Sequence, residues 1–338
     1  MSASAHPLGA SAHPFSELTP DCILDALESV GLRGDGRLQA LGSYENRVYQ
    51  VGIEGAAPIV AKFYRPARWT DAAIDEEHRF VAELAAREIP VVAALVLAGN
   101  TLHKFGAFRF ALYPRCSGRA PELGNRATLE WMGRFLGRIH AVGALTPFQD
   151  RPVLDLETFG IQPRDWLLAR AFIPSDVLEA WRSVTALALD GVRRAFDRAG
   201  GAANLRLHGD CHAGNVLWIE DGETQGPHFV DFDDSRMGPA VQDLWMLLSG
   251  DHAEMSRQLS DVLIGYRDFF QFEPRELYLV EALRTLRLIH YSAWLAQRWD
   301  DPAFPVAFPW FNTQRYWQDR ILELREQVAL MDEPPLTG

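Results

Sequence analysis

A polar loop between two apolar segments constrains this 338-residue chain more than any other feature. The loop reads His208-Gly209-Asp210-Cys211-His212-Ala213-Gly214-Asn215. An aspartate and an asparagine at this spacing can divide the work of phosphoryl transfer: Asp210 orients a hydroxyl and accepts its proton, and Asn215 offers a neutral oxygen to Mg²⁺. The apolar runs 216–219 and 228–230, with a turn-rich segment between them, predict a hairpin. That hairpin would return Asp231 to the opening of the site beside Asp210 and Asn215, here called the mouth. There Asp231 can bridge the metal between ATP phosphates.

Each of these residues taken alone is equally typical of a turn, because aspartate and asparagine are common turn formers. The His-Gly-Asp triplet is also a weak pattern by itself. The joint spacing between two strand patterns is more specific. It predicts a catalytic pair, Asp210 and Asp231, and two metal ligands, Asn215 and Asp231. Asp233 is the second choice as a ligand.

The loop and the later aspartate resemble those of the aminoglycoside phosphotransferase and choline kinase superfamily. Protein kinases carry His-Arg-Asp and Asp-Phe-Gly at the equivalent places, whereas this chain has His-Gly-Asp at 208–210 and Asp-Phe-Asp at 231–233. The missing arginine would pair with an activation-loop phosphate, so regulation by phosphorylation of that loop is not expected. The resemblance implies an α+β, two-lobed kinase-like fold, with a small antiparallel-sheet N-lobe and a larger, mainly helical C-lobe. It also implies that Asp243 hydrogen-bonds the backbone of the catalytic loop.

Composition limits the partners. The formal net charge of −12 argues against nucleic acid and anionic membranes, since both favour a basic surface. Its longest apolar run, Val91 to Ala98, is far shorter than the roughly 20 residues of a membrane span and predicts a buried strand. No secretory signal pattern is found at the start.

Three isolated cysteines, Cys22, Cys116 and Cys211, lack any Cys-x-x-Cys spacing. They predict a reducing, cytoplasmic location and exclude both a disulfide framework and a thiolate zinc site. Cys211 lies inside the catalytic loop and is the alternative nucleophile. It is not favoured, because no separate base and orienting group are evident near it.

Sequence patterns divide the chain into three parts. Residues 1–14, with a duplicated Ala-Ser-Ala-His-Pro, predict a flexible tail. Residues 15–113 predict a nucleotide-binding N-lobe of strands and two helices, the first beginning at Thr19-Pro20 and the second covering 70–87. Residues 114–338 predict a C-lobe with the catalytic loop and acceptor site, in which the catalytic hairpin is the only strand-like part. Helices there are expected from the 129–139 periodicity and at about 175–198, 241–249, 257–269 and 275–299.

Lys62 interrupts an otherwise apolar strand, where a lysine is costly to bury unless it is paired or binds phosphate. In the helix that follows, Glu77 lies three residues after Ile74 and four before Val81, on the predicted buried face. Glu76 is predicted to be a surface residue. Kinases use such a lysine–glutamate ion pair to hold the α- and β-phosphates. The prediction is therefore a nucleotide site containing Lys62 and Glu77.

Two further nucleotide contacts are expected from the resemblance. The loop 42–46 takes the place of a phosphate-covering loop although it has one glycine, and Ser43 can offer its hydroxyl and backbone N–H to a phosphate. Tyr113, with Pro114 and Arg115, would join the lobes and offer backbone groups to adenine.

Longer matches are more specific than the superfamily motif. The runs 43–50, 62–66, 206–215, 238–248 and 301–305 look like the bacterial stress response kinase A family. That resemblance implies a cytoplasmic serine/threonine protein kinase that uses ATP and Mg²⁺, with a protein partner carrying the acceptor hydroxyl and autophosphorylation as one outcome.

Two other functions remain open from the residues. One is a small-molecule kinase, in which four tryptophans and two aspartates form a cation pocket: Trp294, Trp299, Trp310, Trp317, Asp300 and Asp301. The favoured interpretation of that set is structural, with Trp294 and Trp299 packed in a helix and the aspartates capping its end. Prolines in 299–317 predict an irregular strap. The other function is a pseudokinase, which would need a broken lysine or metal aspartate, and neither is missing.

Overall fold

The computed structural model describes residues 13–201, 203–220, 222 and 225–338. The predicted tail therefore lies outside the described residues except for His13 and Pro14. None of the described helices is long and apolar enough to cross a membrane.

An antiparallel five-stranded sheet with two helices forms the first part of the chain. The strands lie in the order β1-β2-β3-β5-β4. The elements are α1 (Pro20–Glu28), β1 (Gly34–Leu41), β2 (Arg47–Ile53), β3 (Ile59–Phe63), α2 (Asp71–Ala86), β4 (His103–Phe105) and β5 (Phe108–Pro114). Both helices begin as predicted, because Thr19 and Thr70 accept hydrogen bonds from the backbone N–H three residues later.

The second part is mainly helical. It contains α3 (Arg126–Gly143), α4 (Gln162–Leu168), α5 (Ser175–Ala199), β6 (Leu205–Leu207), β7 (Val216–Ile219), β8 (Gly226–Phe229), β9 (Arg236–Gly238), α6 (Val241–Trp245), α7 (His252–Tyr266), α8 (Val280–Gln297), α9 (Ala303–Ala307) and α10 (Gln314–Leu330). The predicted α+β kinase-like fold class is confirmed. The lobe boundary near residue 114 remains a prediction, placed where β5 ends.

Helices α3 and α7 approach each other closely enough to require glycine. A Cβ on Gly133 would lie 1.9 Å from the carbonyl oxygen of Val262, and one on Gly265 would lie 2.0 Å from that of Glu130. Both distances are far below van der Waals contact. This close packing holds the helical core against which β6 and the catalytic loop lie.

Two sequence predictions about strands are wrong. The catalytic hairpin β7–β8 is present, but β6 and β9 form a second antiparallel pair beside it. The run Val91–Ala98 is extended but is neither a strand nor fully buried. It makes isolated bonds, from Val92 N–H to the Phe229 oxygen and from Leu95 N–H to the Leu112 oxygen. Because β4 occupies the edge of β5 along residues 108–110, this segment reaches β5 only beyond β4.

Candidate active site

Asp243 fixes the backbone of the loop that carries the predicted base. Its fully buried carboxylate accepts hydrogen bonds from His208 N–H and Gly209 N–H, each 2.9 Å long. Gly209 has φ +86°, and a Cβ there would lie 2.2 Å from the carbonyl oxygen of Asp234, so only glycine fits. The structure thus shows the hydrogen bonds from the loop backbone to Asp243 that the resemblance implied. They fix the position of the loop that carries Asp210.

The predicted base and metal ligands converge at one mouth. The Asn215 side-chain amide donates to the Asp210 carbonyl oxygen over 2.9 Å, which leaves the Asn215 Oδ1 atom available. The hairpin brings Asp231 back beside this loop, because Val230 N–H donates to the Asn215 carbonyl oxygen (3.0 Å). His208 Nε2 lies 2.9 Å from the Val230 oxygen and ties the same two segments together. The hairpin thus returns Asp231 to the loop as its spacing indicated.

Asp210 has a cationic neighbour that sequence reasoning missed. Arg287, on α8, donates to Asp210 Oδ1 over 2.8 Å, and His212 Nε2 lies 3.5 Å from Oδ2. Burial raises the pKa of the Asp210 carboxyl, but the hydrogen bond with His212 and the charge of Arg287 lower it more, so the net pKa lies below its usual range. The carboxylate is therefore ionised at neutral pH. No pattern around residue 287 indicates this contact, because 77 residues separate the two.

Lys62 is buried and paired, but not with the predicted partner. Its Nζ atom lies 2.9 Å from Asp231 Oδ1 and 3.1 Å from Asp233 Oδ1. Burial lowers the pKa of Lys62, yet these two carboxylates raise it well above its usual value. The expected direct ion pair with Glu77 is not formed. Glu77 still lies close enough for its charge to contribute to the Lys62 pKa.

Arg151 takes the carboxylate of Glu77 instead. Its fully buried guanidinium lies 3.2 Å from Glu77 Oε2 and also donates to the carbonyl oxygens of Ala73, Asp233 and Ser235. Burial raises the pKa of Glu77 to about 7, although Lys62 and Arg151 act to lower it. Arg151 therefore connects α2 to the segment that carries Asp233. The helical periodicity correctly placed Glu77 inside, but it could not show which cation would reach it.

Glu76 was predicted to be a surface residue, and this is wrong. Its carboxylate is buried and accepts hydrogen bonds from Gln149 N–H (2.7 Å) and Asp150 N–H (2.8 Å). The periodicity of α2 treats one face as exposed, but the 148–151 segment covers that face. Both consecutive glutamates of α2 thus hold this segment.

Replacing Arg151 with methionine should lower the free energy of unfolding by about 3–5 kcal/mol, the cost of leaving a buried charge without its partner. Chemical denaturation of the full chain measures this. Arg193→Met, at an exposed arginine paired with Asp190 on α5, is the matched control and should change stability by less than about 0.5 kcal/mol. A loss below about 1 kcal/mol for Arg151→Met would contradict the role assigned to these contacts.

Asp231 and Asp233 differ in accessibility, which bears on the choice of metal ligand. Asp231 has φ +59° and residues 232–234 form a 3₁₀ turn, so the two carboxylates do not lie on one face of a strand. The Asp231 side chain is 52% exposed, whereas that of Asp233 is 4% exposed and is bound by Arg68 and Asn46. Asp231 is therefore the carboxylate that remains accessible from the cleft.

The donor set fits a hard divalent cation. No group of three or more His, Cys, Asp or Glu residues suited to a metal occurs in the part of the chain that the structure describes. The amide oxygen of Asn215 and the accessible carboxylate of Asp231 remain the predicted ligands. Mg²⁺ prefers such oxygen ligands, usually takes one or two carboxylates, and completes its shell with water and phosphate. These two residues would hold it.

Ser43 and Tyr113 lie at opposite ends of the first sheet. Ser43 is half-buried in the turn between β1 and β2, and Tyr113 lies near the end of β5, paired with Val60. The Tyr113 hydroxyl bonds Tyr64 (3.0 Å) and lies 3.3 Å from His78 Nε2, so its side chain packs between the sheet and α2. The nucleotide contacts expected of Ser43 and Tyr113 remain predictions.

The β1–β2 turn is fastened to the C-terminal half by Glu45. This carboxylate accepts hydrogen bonds from Trp294 Nε1 and from Arg298, the latter over 2.6 Å, and lies 3.0 Å from Arg65. The neighbouring Tyr44 ring lies 4.8 Å from the ring of Phe308. The predicted phosphate-covering loop thus lies against α8 and the segment that follows it.

Three of the residues proposed for a cation pocket, Asp301, Trp294 and Trp317, are engaged or buried by other protein side chains, whereas Asp300 and Trp310 are exposed. Asp301 is 3% exposed and binds Arg65 (2.7 Å) and Arg47 (3.3 Å), and it also caps the chain at Ala303. The Trp294 ring is covered by Arg298, and Trp317 is fully buried. The structural interpretation holds for Trp294, which packs in α8, but Trp299 lies beyond the end of α8 and Asp301 bonds the start of α9 instead of capping α8. The strap predicted at 299–317 is irregular up to residue 313, with the short α9 inside it, and its last residues form the first turn of α10.

Comparison with known proteins places this chain in a family. A profile of the phosphotransferase enzyme family, APH, matches residues 37–280. The chain belongs to this family and is a kinase. Within the family it is similar to stress response kinase A of Escherichia coli K12, with 44% identity over 326 residues, 96% of this chain and 97% of the relative. The serine/threonine protein kinase RdoA of Salmonella typhimurium LT2 shows the same identity and coverage. The predicted resemblance to stress response kinase A is confirmed.

Solved structures share the fold. Amicoumacin kinase hAmiN in complex with AMP-PNP, Ca²⁺ and Ami has a TM-score of 0.71 at 19% identity, over 94% of this chain and 95% of that one. A microcompartment-associated aminopropanol kinase has a TM-score of 0.66 at 18% identity, over 88% and 91%. Spectinomycin phosphotransferase has 0.61 at 16%, over 93% and 95%. At such identities these structures support the kinase-like fold alone.

Proposed function

We propose that this kinase transfers the γ-phosphoryl group of ATP to a serine or threonine hydroxyl of a protein, with Mg²⁺, as part of a stress response. The observation that carries the proposal is the convergence of Asp210, Asn215 and Asp231 at one mouth, with Lys62 held 2.9 Å from Asp231. The name of the Salmonella relative supports the choice of acceptor.

The residues at this mouth fit a direct transfer. Lys62 offers its ammonium to the phosphates, while Ser43 covers them from the β1–β2 turn. The acceptor hydroxyl lies against Asp210, which takes its proton as the acceptor oxygen bonds to the γ-phosphorus. The bond from that phosphorus to the bridging oxygen breaks, and ADP leaves with the electron pair. Mg²⁺ held by Asn215 and Asp231 would neutralise charge on the phosphates.

Two observations favour a protein acceptor over an amino alcohol or amino sugar, the acceptors suggested by structural neighbours. The cation nearest to Asp210 is Arg287, which would repel an ammonium group brought to the same place. The alternative cation pocket around Trp294 and Asp301 is filled by Arg298 and Arg65. A cationic small molecule would therefore have to displace an arginine from Asp301 or from the face of Trp294.

Purified protein incubated with labelled ATP and Mg²⁺ tests the acceptor. Parallel reactions contain no acceptor, generic protein acceptors, and a panel of amino alcohols and aminoglycosides. Acid-stable label on a protein acceptor, or on the kinase itself, is the expected result. Robust transfer to a small amine with none to any protein would refute the proposal in favour of a small-molecule kinase.

Cys211→Ala should retain most of the transfer activity. Cys211 is fully buried, and burial raises the pKa of its thiol well above the usual value, so no thiolate is available as a nucleophile. Initial-rate assays against wild type, with Cys116→Ala as a control thiol, measure this. A labelled phosphocysteine at Cys211, together with inactivity of Cys211→Ala, would instead indicate a covalent intermediate.

A further inference from the structure

Arg287 lies between the predicted base and a surface groove. Its Nη1 atom donates to Asp210 Oδ1 over 2.8 Å, yet 43% of its side chain remains exposed. The same side chain lines a cavity of about 550 Å³ together with Trp245 and Tyr291. Arg287 therefore contacts the catalytic loop on one side and forms the wall of a binding surface on the other.

The groove continues away from Asp210 along α8 and α10. A second cavity, of about 660 Å³, adjoins the first, because both are lined by Tyr291 and Glu323. The far cavity includes Trp310, a residue that is 46% exposed. Small molecules are usually bound in enclosed cavities that bury most of their surface. An elongated surface of this kind fits an extended chain segment better.

Other arginines along this groove form ion pairs with carboxylates that have no part in the proposed reaction. Arg284 lies 2.8 Å from Glu281, and Arg320 is paired with Glu323. Arg287 differs, because among the described residues its ion pair is with Asp210. Its guanidinium therefore holds Oδ1 of the carboxylate against which the acceptor hydroxyl is proposed to lie.

We propose that Arg287 selects acceptor segments in which an anionic group, a carboxylate or a phosphate, lies within about two residues of the acceptor hydroxyl. The inference rests on the proposed function. An acceptor segment lying in the groove displaces water from Arg287. When the acceptor hydroxyl takes the place of the Arg287 guanidinium at Asp210, the guanidinium loses its partner and needs another anion. Carboxylates and phosphates match its planar donors. A residue spans roughly 3.3 Å in an extended chain, so an anion two positions from the hydroxyl lies about 7 Å away.

A cationic flank has the opposite effect. A lysine or arginine beside the acceptor hydroxyl would place a like charge next to Arg287 and leave the guanidinium on Asp210. The groove thereby distinguishes acceptors by the sign of charge beside the hydroxyl. This selectivity is local to Arg287, since the other arginines of the groove are neutralised by their own partners.

Matched serine peptides that carry aspartate, phosphoserine, alanine or lysine on each side of the acceptor test the proposal. We expect kcat/KM about 10- to 100-fold higher for the aspartate or phosphoserine peptides than for the lysine peptides, the range of a charge-assisted hydrogen bond. Comparison of the aspartate and phosphoserine arms identifies the anion that is preferred. Equal kcat/KM for all flanks would overturn the inference while leaving a protein-kinase function intact.

Variants assign the preference to one side chain. Arg287→Gln should bring the aspartate-to-lysine ratio close to one, and Arg287→Glu should invert it. Arg284→Gln, one turn earlier on α8, removes a groove arginine that does not contact Asp210 and should keep the wild-type ratio. A preference that persists in Arg287→Gln would show that another group selects the acceptor.

Measuring the affinity of peptides that cannot be phosphorylated separates the choice of acceptor from the rate of transfer. Fluorescence anisotropy of the same peptides with alanine in place of the acceptor serine should show the same order of affinity in wild type, and no order in Arg287→Gln. Transfer to small alcohols, with no peptide phosphorylated or bound, would refute the proposed function and the inference with it.

Discussion

Asp231→Asn should reduce phosphoryl transfer to background, a loss on the order of 10³-fold, while leaving the fold intact. The Asp231 carboxylate is half-exposed at the cleft and would hold Mg²⁺ with Asn215, and an amide in its place supplies less charge to the metal. Its ion pair with Lys62 is partly solvated, so its loss should cost no more than about 1 kcal/mol of stability. Initial rates over a range of Mg²⁺ concentrations, with thermal unfolding of the same sample, measure both.

Asp233→Asn is the matched control for this assignment. The Asp233 side chain is buried against Lys62, Arg68 and Asn46, so its neutralisation should destabilise the protein by about 3 kcal/mol. Asp231→Asn should therefore lose phosphoryl transfer at nearly unchanged stability, whereas Asp233→Asn should lose stability. A fully active Asp231→Asn beside a folded but inactive Asp233→Asn would reverse the choice of metal ligand.

Asp210→Ala should lower kcat by on the order of 10²–10⁴, the range for loss of a positioned base. The loop itself should persist, because Asp243 holds its backbone at His208 and Gly209. Nucleotide affinity should change little, since Asp210 is expected to contact the acceptor and not ATP. Steady-state kinetics together with binding of a non-hydrolysable ATP analogue measure the two quantities.

Asn215→Ala provides the comparison for that result. Its amide oxygen is a proposed metal ligand, so the variant should need more Mg²⁺ for half-maximal rate, whereas Asp210→Ala should not. A loss of less than about 10-fold in Asp210→Ala would mean that another group accepts the proton.

Local sequence signals predicted the elements that carry the site. The capping threonines Thr19 and Thr70 set the starts of α1 and α2, and the two apolar runs of the hairpin return Asp231 to the catalytic loop. These features depend on residues close together in the chain, so their geometry can be read from spacing. The same is true of the inward face of Glu77, which follows from the period of a helix.

Sequence reasoning went wrong where one side chain had several possible partners. Lys62 was matched with Glu77 by analogy, but Arg151 lies nearer to that glutamate and the carboxylates of Asp231 and Asp233 take the lysine. Nothing near residue 151 in the sequence marks it as a buried arginine. Its position depends on how the 148–151 segment packs across α2, which local periodicity does not describe.

The sequence by itself determined the fold class, the family and the chemical groups available at the mouth, because each follows from local patterns or from resemblance along the chain. Only the tertiary structure decided which charges meet. Arg287 reaches Asp210 across 77 positions, and Arg65 reaches Asp301 across 236. Ion pairs form between whichever opposite charges the packed core brings within a few ångströms, and buried charges must find such partners. Sequence separation places no limit on that choice.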